Sequence, residues 1–190
     1  MSLVLKEDQN MLRETAARFL SERSPVSALR ALRDERHPDG FDRALWKEMA
    51  ELGWAGLIVP EEHGGSGFGH VGLGLVLEEA GRRLTASPLV STALLGAGLV
   101  ASLGTDGQKE RLFPSMVAGE HITALALEEG THHAPFAIAA SATANADGFV
   151  LNGVKRFVLD GHVADSLIVV ARTGEGSDER DGLSLFLVDP

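Results

Sequence analysis

The spacing of the apolar residues changes once along this chain, near residue 120, and that change constrains the fold more than any other feature. Before it, apolar side chains recur every three or four positions, the period of an amphipathic helix. Leu12, Ala16, Phe19 and Leu20 form one such stripe, and Phe41, Leu45, Trp46, Met49 and Leu52 form another. Gly53 is placed to end the second as a C-terminal cap. Ser24-Pro25 predicts an N-cap with proline in the first helical position, opening a short helix. Gly72 to Leu84 and Pro88 to Leu103 predict two further helices, the second ending at Gly104. Thr105-Asp106-Gly107-Gln108 is a capping-box pattern that starts a helix reaching about Ala118, where Gly119 stops it.

Beyond residue 120 the pattern becomes that of strands. Ile122 to Leu127 is one candidate; Ser141–Ala144 and Phe149–Leu151 flank the turn residues Asp147-Gly148. Asn152-Gly153 is the strongest short hairpin signal, predicted to join Phe149–Leu151 to Lys155–Leu159. Ser166–Ala171 and Leu183–Val188 supply two more strands, separated by a surface loop at Arg172–Asp181. There is no internal repeat. The expected class is α+β: an all-helical N-terminal domain at 1–121, then an antiparallel β domain at 122–190. The sequence reaches Pro190 in mid-strand. An unpaired apolar edge invites aggregation, so the β domain is expected to be incomplete, its edge covered by more chain or by another subunit.

Composition narrows the function classes. At 44% hydrophobic and 23% charged residues, the chain can bury a substantial core. A net charge of −10, with Lys and Arg scattered, repels phosphate backbones, so no nucleic-acid partner is expected. The absence of cysteine excludes disulfide and thiol chemistry and fits a reducing, cytoplasmic setting. Met1 to Asp8 has no basic n-region or long apolar run. Pro88–Leu103 is shorter and more polar than the ~20 apolar residues a bilayer requires, so no membrane span is expected.

Several motifs fail on context. Gly67-Phe68-Gly69-His70-Val71-Gly72 spells a dinucleotide fingerprint, but Pro60 to Gly65 separates it from any strand and only helices follow. A glycine-rich interhelical loop is the reading it supports. Gly64-Gly65-Ser66-Gly67-Phe68 falls one glycine short of a nucleophile elbow. His132-His133 are adjacent on an extended loop and point apart, so they are read as solvated histidines and no metal site is expected. Trp54 is read as a core anchor. Residue types and spacing alone yield no catalytic set.

The order and wording of several segments resemble the acyl-CoA dehydrogenase family. Leu52-Gly53-Trp54-Ala55-Gly56-Leu57-Ile58-Val59-Pro60-Glu61-Glu62-His63-Gly64-Gly65 is similar to the family's signature after its third helix. Glu78-Glu79-Ala80-Gly81-Arg82 resembles its E-E-x-G-R helix. The run Gly104-Thr105, Gln108-Lys109, Leu112-Phe113-Pro114, Gly119-Glu120 resembles the approach to its β domain. Leu151-Asn152-Gly153-Val154-Lys155 with Ala164-Asp165 resembles its L-N-G-x-K … A-D segment. The resemblance covers nearly all of the chain, yet only the first two of the family's three domains. It implies an FAD enzyme that desaturates an acyl-CoA or acyl-carrier thioester. A glutamate takes the α-proton, a hydride leaves the β-carbon for the flavin, and electrons pass to an electron-transfer flavoprotein. It also implies a homo- or hetero-oligomer of dehydrogenase subunits. The catalytic glutamate belongs to the third domain, so no base is nominated here.

The resemblance also assigns the site residues. The family's T-E-P-x-A-G-S-D motif falls on Leu127 to Ala134, and its W-I-T motif on Phe157-Val158-Leu159. Ala126, Leu127, Phe157, Val158 and Leu159 are therefore the candidate FAD contacts. His133, in the same loop, and Leu94 and Leu95, in the predicted helix at 88–103, are the candidate substrate contacts, with plain core packing an equal reading for the two leucines. Leu127 and Leu159 replace residues that offer hydroxyls to the flavin, each lost bond costing on the order of 0.5–1.5 kcal/mol. Two readings stay open. Either FAD is held by backbone amides and the missing domain, or the chain is the flavin-degenerate subunit of a heteromeric dehydrogenase.

Overall fold

The computed structural model describes residues 4–174 and 179–190. The chain divides into two compact units, 1–121 and 122–190.

The first unit is helical: α1 (Glu7–Arg23), α2 (Val26–Asp34), α3 (Arg43–Glu51), α4 (Gly69–Arg83), α5 (Ala97–Leu103) and α6 (Asp106–Val117). α1 packs along α4 through Ala16 and Leu20, the fully buried members of the first predicted stripe. Trp46, Trp54, Phe41 and Phe113 fill the core. Phe19 meets Trp54 edge to face, with ring centroids 5.3 Å apart, the arrangement that aromatic quadrupoles favour. Trp54 is thus the anchor its context predicts. Gly53 closes α3 with φ +81°, as a left-handed cap requires. The Thr105 capping box is formed in both directions, Gln108 N–H to Thr105 Oγ1 at 3.3 Å and Thr105 N–H to Gln108 Oε1 at 2.9 Å.

Two local readings need correction here. Ser24 does not cap α2: it ends α1, its N–H donating to Leu20 O, and Pro25 takes the N-cap position in extended geometry. The residue before a proline avoids the helical region, which moves the boundary one residue along. The helix expected at 88–103 is not uniform. Leu89–Gly96 is π-helical and only then passes into α5. Of the segment Gly67 to Gly72, Gly67 and Phe68 are loop and Gly69 to Gly72 is the first turn of α4, with two short 3-10 turns (Trp54–Gly56, Glu61–His63) ahead of it. The fingerprint reading fails as expected.

The second unit is a five-stranded sheet: β1 (Thr123–Ala126), β2 (Ser141–Asn145), β3 (Gly148–Asn152), β4 (Ser166–Arg172) and β5 (Leu183–Val188). β2 and β3 form an antiparallel hairpin, and β5 lies antiparallel on β4. The sheet is nevertheless mixed, because β1 runs parallel to β4 from Thr123 opposite Ser166 to Ala126 opposite Val169, and β2 meets β4 through a parallel bridge. The expectation of a purely antiparallel sheet is corrected on this point. A parallel pair needs a long crossover, which the hairpin-bearing stretch between β1 and β4 provides. Asp165 fixes the start of that pair: its carboxylate accepts from Ile122 N–H at 2.8 Å, and its own N–H donates to Ile122 O at 2.8 Å.

The Asn152-Gly153 hairpin does not form. β3 ends at Asn152 and no strand follows through Leu159. A Cβ on Gly153 would fall 2.5 Å from Ala140 Cβ, so glycine is there for a close approach to a neighbouring segment. The hairpin turn is instead Ala146-Asp147, one residue ahead of the predicted Asp147-Gly148, and Gly148 opens β3 opposite Asn145 with φ +140°. The loop expected at 172–181 includes residues 175–178, which lie outside the described residues, as do Met1 to Leu3 of the N-terminal stretch.

Candidate functional site

The candidate cofactor contacts lie in the β unit, on two stretches that meet at the end of β1. Ala126 is buried there, and Leu127 packs its side chain against the cluster of Ile138, Ala140, Ala142, Val170 and Ala171. Alongside runs the segment 153–160. Arg156 N–H donates to Glu128 O at 2.7 Å. Lys155 Nζ donates to Leu127 O at 3.1 Å and to Glu129 Oε1 at 2.7 Å. These bonds bring Ala126 and Leu127 together with Phe157, Val158 and Leu159.

Phe157 stands out. It has φ +52°, a conformation rarely taken by a bulky side chain, and it leaves its ring 76% exposed. A non-glycine residue held there costs about 1–3 kcal/mol, and such outliers cluster at functional sites. Leu159 is 50% exposed, whereas Val158 turns inward and lines an apolar trough of about 490 Å³ with Ala126, Leu151, Leu167 and Val169. Gly161 must be glycine for Val158 to sit this way, since a Cβ would lie 2.7 Å from Val158 Cγ1.

The loop after Leu127 is held by its two glutamates. Glu128 Oε1 pairs with His133 Nδ1 at 2.5 Å, and Glu128 Oε2 accepts from Ala134 N–H at 3.2 Å. The Ala134 amide first, and His133 second, hold the Glu128 carboxyl below its usual range. Glu129 accepts from Ala139 N–H at 2.7 Å and Ala140 N–H at 3.0 Å in addition to Lys155. Burial alone would raise the Glu129 carboxyl. The hydrogen bonds from Lys155, Ala139 and Ala140 outweigh it, so the net shift is downward. A general base works best with a pKa near the operating pH, and both of these acids are ionised and engaged. His132 turns to Thr131 Oγ1 at 3.1 Å while His133 turns to Glu128. The adjacent histidines diverge, and among the described residues no group of three metal-ligating side chains is found.

Leu94 and Leu95 lie in the helical unit, half-buried on the π-helical stretch. π-turns are frequent at functional sites because they interrupt regular packing. No periodicity in the sequence announces one. The Glu129–Lys155 pair beside these contacts was not anticipated either. The only signal available was an acid and a base of opposite sign in two separate motifs, with no local spacing to link them.

Comparison with known proteins identifies the family. The family model for the acyl-CoA dehydrogenase N-terminal domain matches residues 6–120, and that for the middle domain matches residues 124–190. Benzylmalonyl-CoA dehydrogenase of Aromatoleum aromaticum is 35% identical over 192 residues, covering 100% of this chain and 49% of its own. Among solved structures, the Tcur3481-Tcur3483 steroid ACAD G363A variant superposes with a TM-score of 0.84 at 34% identity, covering 96% of this chain and 48% of that one. An acyl-CoA dehydrogenase from Bacillus anthracis complexed with FAD superposes at 0.81 and 28% identity, covering 97% of this chain and 32% of that one. The chain spans about half the length of the curated relatives it matches. Among the described residues no helix is long and apolar enough to cross a membrane. With both family models matched in order over nearly all its residues, this chain belongs to the acyl-CoA dehydrogenase family.

Proposed function

We propose that the protein carrying this chain is an FAD-dependent acyl-CoA dehydrogenase that desaturates an acyl thioester between its α and β carbons. Residues 1–121 would act as its helical domain and 122–190 as its β domain. The observation that carries the reading is Phe157, an aromatic ring held outward at positive φ beside the end of β1. Its exposed face fits an isoalloxazine, which needs a flat apolar platform and hydrogen bonds at its edge. Family membership and the FAD-bound relative support the same cofactor.

When bound, FAD supplies a hydride acceptor. Phe157 and Leu159 would pack against the ring and exclude water, and the backbone at Ala126–Leu127 would bond its polar edge. The Leu127 side chain cannot contribute, being committed to the core. His133, oriented by Glu128, is the candidate donor to the polar part of the substrate. Leu94 and Leu95 are candidate acyl contacts. No residue here is assigned removal of the α-proton. An electron-transfer flavoprotein is the proposed acceptor, an oligomer of dehydrogenase subunits the proposed assembly, and the cytoplasm the proposed location, on the cysteine-free composition.

A second reading rests on the two leucines at hydroxyl positions. In it the chain belongs to a heteromeric dehydrogenase as the subunit without a working flavin site; a similar solved structure, the ChsE4-ChsE5 complex from Mycobacterium tuberculosis, supports such an assembly. The visible spectrum of the intact protein, purified alone, separates the two. Flavin bands support the enzyme. A colourless protein that turns yellow only with a co-expressed partner supports the second reading and removes the first.

A further inference from the structure

Apart from Ala126, the last residue of β1, the candidate flavin contacts lie outside the strands. β1 ends at Ala126, and nothing from Gly153 to Leu159 belongs to a strand. Their spacing depends on a few discrete bonds, and the Lys155 ammonium makes two of them, to Leu127 O and to Glu129 Oε1. Glu129 in turn accepts the amides of Ala139 and Ala140, and it is Ala140 against which Gly153 makes its close approach. One ion pair therefore joins three backbone stretches: 127–129, 139–140 and 155–156. It is well shielded, with side chains only 10% and 14% exposed for Lys155 and Glu129. Such a pair adds little net stability over an apolar replacement, because desolvation offsets the attraction. What it supplies is directional bonds at fixed points.

We propose that the Glu129–Lys155 pair is the positioning device of the flavin face, setting the separation between the Leu127 backbone and the Phe157 ring. Neither residue is among the candidate FAD contacts; the pair acts through the backbone it holds. The inference rests on the FAD reading above and adds to it the pair through which this chain fixes the contact geometry. Sites held to productive geometry within about 0.5 Å lose affinity sharply when their supporting shell loosens.

The test uses the full-length protein with Glu129→Gln and Lys155→Met, and Lys155→Arg as the conservative variant. Asp165→Ala is the control of stability. Asp165 acts at the start of β1, away from Leu127, its carboxylate accepting from Ile122 N–H at 2.8 Å. Three quantities are read: the Kd for FAD, the visible circular dichroism of bound flavin, and the thermal midpoint. The expected result is a Kd raised at least about tenfold with an altered flavin dichroism in Glu129→Gln and Lys155→Met, and largely restored in Lys155→Arg. Asp165→Ala should leave the Kd within about twofold at a comparable loss of thermal midpoint. The inference is overturned if Glu129→Gln retains the wild-type Kd, or if Asp165→Ala raises it equally. Should Lys155→Met fail to fold, Glu129→Gln decides. A wild-type protein that binds no FAD strikes the flavin reading and this one together; wild-type binding with indifferent variants strikes only this one.

Discussion

The helical and β units use their aromatic residues in opposite ways. In the helical unit Trp46, Trp54, Phe41 and Phe113 are all buried, Trp54 to 1% exposure. In the β unit Phe136, Phe149 and Phe157 are exposed, and the buried core is made of alanine, valine and isoleucine. Large apolar groups inside contribute stability, whereas an aromatic held outside at a cost in backbone energy needs another explanation. The helical unit uses these rings as scaffold, whereas in the β unit Phe186 packs on the core and meets Phe149 edge to face, Phe136 lies under Arg180, and Phe157 is held outward at positive φ.

Substitutions can break that contrast. The largest effect is expected from Trp54→Ala, which should lower unfolding free energy by about 3–5 kcal/mol in urea, as for other buried aromatics. A loss under 1 kcal/mol would remove the claim that this ring anchors the scaffold. Phe157→Gly should behave in the opposite sense: glycine accepts positive φ, so stability should hold or rise by about 1 kcal/mol, while FAD binding weakens. A protein destabilised by that change would show Phe157 to be structural. Thr105→Ala, which breaks the capping box of α6, should cost about 1 kcal/mol, measurable by thermal unfolding.

The two leucines sharpen the comparison further. Leu159→Thr, at a half-exposed position, should tighten FAD binding by about threefold to tenfold through one added hydrogen bond. Leu127→Thr should not, because its side chain packs on the core and a hydroxyl would be buried there. Equal gains from both would place Leu127 on the ligand side. Glu129 adds a dependence on pH. Its carboxyl is lowered in the folded state, so its stabilisation is present above the unfolded value of about 4.3 and is lost as pH falls through the folded value. Glu129→Gln should therefore flatten the acid limb of stability, a change small beside the others and visible in pH-dependent unfolding.

The sequence was most legible where structure is local. The Leu12–Leu20 stripe, the Gly53 cap and the Thr105 box each depend on neighbours within a turn or two, and all are present as read. It misled where a residue answers to a distant partner. Gly153 looks like a turn residue, yet it is fixed by Ala140 across the sheet. The parallel pairing of β1 with β4 depends on a crossover that no period records. The candidate site was legible only through family wording. That wording nominated Leu127 and Phe157, but gave no sign of the left-handed backbone that turns Phe157 outward, nor of the Glu129–Lys155 pair that spans two motifs.

A crystal structure of the full-length protein grown with FAD would test the central claim most directly. It should show the isoalloxazine stacked on the Phe157 ring, with its polar edge bonded to backbone at Ala126–Leu127. A flavin bound elsewhere, leaving Phe157 in solvent, would contradict it.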